Sequence, residues 1–333
     1  MAIFVTGAAG YVGSHFVKCF ERETSGKLVL IDDLSRGSRR NVPKDLPFYQ
    51  VDAGDTRSLA QIFAAEPPEA VLHFAASINV GESVRDPLRY YRNNLVTTIN
   101  LVNTARLYGL KHFIFSSTAA VYGATGLTKV KECDPTLPDS PYGQSKLMAE
   151  NVLADAARTY GFKALALRYF NVAGADTTGV IGPRSADASH LIQVACEVAV
   201  GEREKISVFG NDYNTRDGTG VRDYIHVDDL ARAHLGALEL LETMDKPFDI
   251  FNVGYGKGYS VLDVIHAFEH ISGHTLPYQI VDRRPGDLPE IIADNRKITE
   301  VFGWVPRHND IFEIVKTALN WERKRRKKDI TIR

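Results

Sequence analysis

Ile3-Phe4-Val5-Thr6-Gly7-Ala8-Ala9-Gly10-Tyr11-Val12-Gly13-Ser14 is the stretch whose reading decides the fold. Ile3, Phe4 and Val5 form a short apolar run, as a buried strand does. Glycines follow at positions 7, 10 and 13, and Val12, Phe16, Val17 and Phe20 then recur with helical spacing. Strand, glycine loop and helix make a dinucleotide-binding turn. Gly7, Gly10 and Gly13 let backbone approach a pyrophosphate, and the helix opening at Tyr11 and Val12 offers free N–H groups and a positive dipole end.

The second strand, Lys27 to Ile31, ends in Asp32-Asp33. An acid about 20 residues beyond the loop, at a strand end, suits the adenosine ribose hydroxyls and repels a 2′-phosphate. Asp32 therefore favours NAD over NADP, although it also fits a plain strand-end turn. Arg36, Arg39 and Arg40 keep a phosphate-bearing cofactor as the alternative. Further strands are expected at 48–51, 70–74 and 112–115, with helical stretches between them. That alternation predicts an α/β fold with a doubly wound parallel sheet of Rossmann type. Ligands bind beyond the carboxyl ends of such strands. Asp55 and Thr56 follow the third strand on the adenine side. Phe74-Ala75-Ala76 follows the fourth, where small residues let a cofactor pass. Ser116-Ser117-Thr118 ends the fifth, pointing hydroxyls at the substrate or simply forming a solvated turn.

Ser140-Pro141-Tyr142-Gly143-Gln144-Ser145-Lys146 carries the candidate chemistry. Pro141 suits a first helical turn, and Gln144 through Glu150 are good helix formers. Tyr142 and Lys146 are then i and i+4 on one face. A phenol is a poor base at neutral pH, and a neighbouring ammonium lowers its pKa. The pair is expected to exchange a proton with a substrate hydroxyl. Alone, the same spacing is often mere surface.

The 333 residues carry a net charge of −1, which draws the chain neither to nucleic acid nor to a membrane surface. The basic run 323–328 reads as a solvated helix end. Cys19, Cys133 and Cys196 are few, odd in number and far apart. They argue against a disulfide framework or a metal site and suit a cytoplasmic protein. No signal peptide is expected, since the first residues already read as a strand.

Taken together, VTGAAGYVGSH, VLHFAAS, GESV, PLRYYRNN, FIFSSTAAVYG, SPYGQSKLMAE, LRYFNVAGA, FGNDYNTRDGTGVRDYIHVDDLA and RRPGDLPE resemble the extended short-chain dehydrogenase/reductase family, and within it the sugar-nucleotide 4-epimerases. The resemblance runs from about residue 2 to about residue 321. It implies inversion at C4 of a UDP-hexose, UDP-glucose or UDP-galactose, by transient hydride transfer to bound NAD through a 4-keto sugar. By resemblance Tyr142 is the acid/base, Lys146 its partner and a holder of the nicotinamide ribose, and Thr118 a hydroxyl beside the substrate 4-oxygen. Asn94, Ser116 and Tyr169 are expected near the cofactor. Asn171, Arg222 and Arg284 are expected at the diphosphate, and Asp287 at the uridine ribose. His190, Leu191, Ser207, Val208 and Phe209 are expected around uracil, with Tyr224 nearby. Ile291 holds the position that sets the size of the sugar pocket.

The resemblance further implies two domains. An NAD-binding domain takes residues 1–171 plus about 226–253, and a smaller C-terminal UDP-sugar domain takes about 172–225 plus 255–333. It also implies a homodimer through helices near 87–107 and 142–159. Three other readings share many of these residues: a 4-epimerase of UDP-N-acetylhexosamines or UDP-pentoses, a net NAD-dependent oxidoreductase on a nucleotide sugar, and a non-catalytic dinucleotide sensor. The sensor has no use for Tyr142, Lys146 and Thr118 together. A 4,6-dehydratase or decarboxylase needs an acid near the hydroxyls, where Ala119 and Ala120 stand.

Overall fold

The computed structural model describes residues 2–184, 190–284 and 286–331, with side chains as far as Lys327. The expected UDP-sugar region takes in residues 185–189, 285 and 332–333, which lie outside the described residues.

Strand β1 (Ala2–Thr6) is wholly buried and leads through the glycine loop into α1 (Tyr11–Glu23). The order continues with β2 (Lys27–Ile31), β3 (Phe48–Tyr49), α2 (Thr56–Ala65), β4 (Ala70–His73), α3 (Val80–Arg85), α4 (Pro87–Tyr90) and a π-helical turn at Tyr91–Val96. After it come α5 (Thr97–Arg106), β5 (His112–Thr118), β6 (Lys129–Val130), α6 (Pro141–Tyr160), β7 (Lys163–Tyr169) and β8 (Asn171–Ala173). The remainder is α7 (Leu191–Ala199), β9 (Ile206–Phe209), β10 (Val221–His226), α8 (Val227–Thr243), β11 (Phe248–Val253), β12 (Gly258–Ser260), α9 (Val261–Ser272), β13 (Tyr278–Val281), β14 (Glu290–Ala293), α10 (Arg296–Phe302) and α11 (Ile311–Thr331).

Seven strands form one parallel sheet in the order β11-β7-β5-β4-β1-β2-β3. The strand order reverses beside β1, as in doubly wound sheets whose ligands bind beyond the strand ends. One apolar cluster, with Phe16, Phe20, Leu72, Leu167 and Phe251, covers one face of this sheet. A second, with Phe4, Phe63, Phe113, Phe115 and Leu153, covers the other. Burial on both faces explains why these strands read as continuous apolar runs rather than alternating ones. The third strand is only Phe48–Tyr49, because Gln50 and Val51 leave the ladder.

A smaller sheet runs β12-β10-β14-β6, with β8 paired to β10. Strand β10 is shared along its length: Val221 to Asp223 pair with β12, and Tyr224 to His226 pair with β8. The late segment β11 pairs with β7 of the large sheet, and the early segment β6 pairs with β14 of the small one. These two exchanges stitch the regions together beside the ends of β5 and β7. Asp223, fully buried, reinforces the seam by accepting from the backbone N–H groups of Tyr255 (2.9 Å), Gly256 (2.8 Å) and Ala293 (3.2 Å).

Helix α6 starts where the sequence predicts. Ser140 caps it by accepting from the Gly143 N–H at 3.2 Å, and Pro141 occupies the first turn. It ends at Gly161 in the left-handed region, with φ 78°, a conformation that suits glycine. Replacing Ser140 by Ala should lower stability in urea by about 1 kcal/mol, whereas Ser140→Gly should cost only a few tenths. A Ser140→Ala loss near zero would show that the cap contributes nothing.

Candidate active site

The glycine loop is a backbone cradle. Gly7 adopts φ 69°, and a Cβ there would stand 2.5 Å from the Ala75 nitrogen and 2.8 Å from the Phe74 carbonyl carbon. A Cβ on Gly13 would stand 2.2 Å from the Gly7 oxygen. Neither position admits a side chain, and both bring backbone against backbone where α1 begins. Gly10 caps α1 without a side-chain hydrogen bond. The first N–H groups of the helix, around Tyr11 and Val12, are therefore free of side-chain capping and suited to an anion.

Asp32 is buried beside this loop. It accepts from the Ala9 N–H at 2.9 Å and from the Leu34 N–H at 2.8 Å. Burial raises its pKa, and those N–H groups offset part of the rise. Of the three arginines that kept a phosphate in play, Arg36 lies 3.6 Å from Glu82. Arg39 donates to the carbonyls of Val42 and Pro43. The loop thus has a carboxylate at its back and two of its nearby cations engaged, an arrangement that favours a ribose with free hydroxyls. Asp55 instead serves as the N-cap of α2, accepting from the N–H groups of Arg57 and Ser58, with Thr56 in the first helical turn.

At the end of β5, three side chains converge. The Thr118 hydroxyl faces the Tyr142 phenol and favours its ionised form. Lys146, 2% exposed, donates from Nζ to the Ser116 carbonyl at 2.8 Å. The Tyr169 phenol reaches the Ser116 hydroxyl and the His234 ring, the latter at 2.8 Å. The i, i+4 geometry of Tyr142 and Lys146 is therefore real, but the expected electrostatic consequence is not. Burial raises the Tyr142 pKa, the Thr118 hydroxyl opposes the rise, and Lys146 exerts no resolved pull on it. Burial likewise disfavours the Lys146 ammonium and lowers its pKa to about 7, with Glu150 opposing.

Asn94, expected at the cofactor, is a bracket. Its Oδ1 accepts from the Ser77 N–H at 2.8 Å, and its Nδ2 donates to the Ser77 carbonyl and the Ser145 hydroxyl, both at 3.0 Å. It sits in the π-helical turn, a distortion frequent at functional sites. In this way it locks the loop after β4 onto α6.

The second group of expected residues assembles around Asp287. Arg284 meets its carboxylate through Nε at 3.1 Å and Nη2 at 2.9 Å, and Arg222 lies 4.0 Å away. The Arg284 guanidinium stands 5.1 Å from the Phe209 ring centre and close enough to His190 to disfavour its charged form, after burial, the larger cause. His190 caps α7 and Leu191 begins it. Asn171 begins β8 opposite Tyr224. Alternation along β9 exposes Ser207 and Phe209 and turns the Val208 side chain into the core. Tyr224 likewise packs in the core of the smaller region, where burial pushes its phenol up to about 12. Ile291, 8% exposed, packs with Ala119, Tyr122 and Phe170, between the two groups of residues.

The residues that sequence reasoning missed lie beneath Lys146. Glu150, 2% exposed, accepts from the Ser117 hydroxyl and takes both ends of the Arg168 guanidinium, at 3.0 and 2.7 Å. The signal was present: Tyr142, Lys146 and Glu150 recur at a spacing of four.

Residues 3–254 match the NAD dependent epimerase/dehydratase family. The chain is 45% identical over 321 residues to the UDP-glucose 4-epimerase of Azospirillum brasilense, covering 96% of this chain and 92% of that one. It superposes on the crystal structure of the Bifidobacterium longum UDP-glucose 4-epimerase in complex with NAD+ and UDP with a TM-score of 0.90 at 36% identity, covering 97% and 98% of the two chains. The UDP-Glc/GlcNAc 4-epimerase of Campylobacter jejuni gives a TM-score of 0.85 at 43% identity, covering 97% and 99%.

The geometry at β5 makes a prediction of its own. Thr118→Val removes the hydroxyl that favours the Tyr142 phenolate. The ionisation of that phenol, read as the difference in ultraviolet titration between proteins with Tyr and with Phe at 142, should move to higher pH. An unchanged or lower midpoint would contradict the assignment.

Proposed function

The chain belongs to the NAD dependent epimerase/dehydratase family, and we propose that it interconverts UDP-galactose and UDP-glucose by inverting C4 of the sugar. The observation that carries the reading is the convergence of Tyr142, Thr118 and Lys146 at the end of β5, between a glycine cradle and an arginine-rich anchor. NAD, when bound, would supply reversible hydride transfer at C4 of the sugar. Gly7, Gly10, Tyr11, Val12 and Gly13 hold its pyrophosphate. Asp32 holds the adenosine ribose, with Asp55 and Thr56 on the adenine side. Phe74, Ala75 and Ala76 line its course, and Lys146, Ser116 and Tyr169 face the nicotinamide end.

Tyr142 takes the proton of the 4-hydroxyl as C4 is oxidised and gives it back as C4 is reduced. Thr118 steadies the phenolate by hydrogen bonding. Lys146 holds the nicotinamide ribose, its own nitrogen anchored on the Ser116 carbonyl at 2.8 Å. Arg222, Arg284 and Asn171 bind the diphosphate, as a guanidinium fork suits phosphate oxygens. Asp287 takes the uridine ribose; a carboxylate has acceptor sites to spare beyond its arginine contacts. Phe209, His190, Leu191 and Ser207 border the uracil. A firm anchor at UDP leaves the sugar free to turn over between the two hydride transfers.

In this reading the NAD-binding unit comprises residues 1–171 and about 226–253, and the UDP-sugar unit about 172–225 and 255–333. The chain forms a homodimer through α4, α5 and α6. Leu88 (73% exposed), Val96 (43%), Ile99 (39%) and Leu107 (66%) follow helical spacing, with Met148 (39%) on α6, and such a stripe marks an interaction surface. A second substrate class has its own support: Ile291 is shorter than an aromatic residue, which leaves room for an acetamido group, as in UDP-N-acetylgalactosamine.

Tyr142→Phe should lower the rate of UDP-galactose conversion by about 10²–10⁴-fold while UDP binding, measured by calorimetry, stays within a few-fold. Retention of most of the rate would remove Tyr142 from the mechanism. Ile99→Glu should shift the protein from dimer to monomer in sedimentation; a wild-type monomer would remove the proposed interface.

A further inference from the structure

The face of α6 that carries Tyr142 and Lys146 extends one turn further, to Glu150. That carboxylate is almost wholly buried, as is Arg168 at 3% exposure. Ser117 on β5 and Arg168 on β7 are direct partners across the parallel ladder, and Glu150 accepts from both. One carboxylate therefore ties the helix to two adjacent strands at once. Those strands end at the other groups of the site, Ser116 and Thr118 on β5 and Tyr169 on β7. Arg168 is held in turn, donating to the Glu132 carbonyl at 3.4 Å and standing 4.9 Å from the Tyr122 ring centre. Tyr122 donates to Asn252 on β11 at 2.6 Å.

Replacing such a buried ion pair by apolar residues is often neutral or stabilising, so stability alone is a weak reason for it. A reason lies in Lys146. Its nitrogen has the Ser116 carbonyl at 2.8 Å and the Phe115 ring centre at 4.7 Å. The titratable groups around it are His73 from β4, Tyr142 and Glu150 from its own helix, and Tyr169 from β7. Arg168 and Tyr122 stand behind Glu150, and Tyr90, bonded to Glu82, stands behind Tyr142. Among the described residues, Glu150 is the carboxylate whose charge favours the Lys146 ammonium.

We propose that Glu150 is a positioning residue of the reaction: held by Arg168 and Ser117, it clamps α6 to β5 and β7 and supplies the counter-charge for the Lys146 ammonium. Arg168 sets how much of that charge Lys146 receives, because it shares the same carboxylate. The catalytic part of this inference rests on the function proposed above; the electrostatic part does not. Burial lowers the Lys146 pKa and Glu150 raises it, so the two partners act on Lys146 with opposite sign. Removing Glu150 makes Lys146 lose its proton at lower pH. Removing Arg168 leaves Glu150 with fewer competitors and moves the loss to higher pH.

The test is a pH titration of the full chain by NMR, with lysine labelled at Cε and the Lys146 signal assigned by its absence in Lys146→Arg. Glu150→Gln should lower the Lys146 midpoint by about one pH unit, a tenfold change in the protonation equilibrium, and Arg168→Met should raise it. Should the single changes prevent folding, Glu150→Gln with Arg168→Gln removes both charges of the ion pair together and should still lower the midpoint. Midpoints that stay at the wild-type value in the folded variants would overturn the proposal and leave the pair a structural tie. The alkaline limb of kcat with UDP-galactose should follow the midpoint. A wild-type protein inactive on UDP-galactose would sink the proposed reaction, while the NMR midpoints would still decide the role of Glu150.

Discussion

Everything in the site depends on burying one face of α6 against the carboxyl ends of β5 and β7. That face carries a phenol, an ammonium and a carboxylate in successive turns, and taking such groups out of water is costly unless each finds a partner. Each does: Tyr142 finds Thr118, Lys146 finds Ser116, and Glu150 finds Ser117 and Arg168. The partners are consecutive residues on one strand plus one on its neighbour. A slip of a single residue in the β5–β7 register would part Ser117 from Arg168 and break the grip that Glu150 has on both. The same burial that fixes the geometry sets the chemistry, since desolvation brings the Lys146 pKa down to about 7, where small changes in its surroundings alter its charge.

The two sheets are joined by exchanged strands. Strand β11 crosses into the large sheet, β6 crosses into the small one, and the Tyr11 hydroxyl donates to the Gly174 carbonyl at 2.6 Å, tying the glycine-loop helix to the segment after β8. The cradle for a dinucleotide is rigid backbone. The anchor around Asp287 is made of partly exposed arginines, with the Phe209 ring beside Arg284. Rigid backbone suits a cofactor that stays, and adaptable side chains suit a substrate that comes and goes. The chain's likeness to sugar-nucleotide 4-epimerases over nearly its full length fits this division.

Much of this was legible in the sequence, for identifiable reasons. The glycine loop, Asp32 and the Tyr142–Lys146 spacing are local patterns, and local patterns survive folding. The buried runs of β1, β2, β4 and β5 announce a parallel sheet because both faces are covered. Less legible was whatever depends on partners distant in sequence. Glu150 looked like an ordinary helix former until the fold brought Arg168 beneath it, 18 residues on. Val208 and Tyr224 were expected near uracil, and both side chains are buried in the core of the smaller region. The influence of Lys146 on Tyr142 was inferred from spacing, which says nothing of how deeply both groups are desolvated.

The most direct measurement follows a deuterium atom. Purified protein given UDP-galactose deuterated at C4, with no NAD added, should yield UDP-glucose that keeps the label at C4, because the hydrogen leaves and returns within the site. Product that has exchanged its C4 hydrogen with water would contradict hydride transfer. No product, even after NAD is supplied, would contradict the assigned reaction itself.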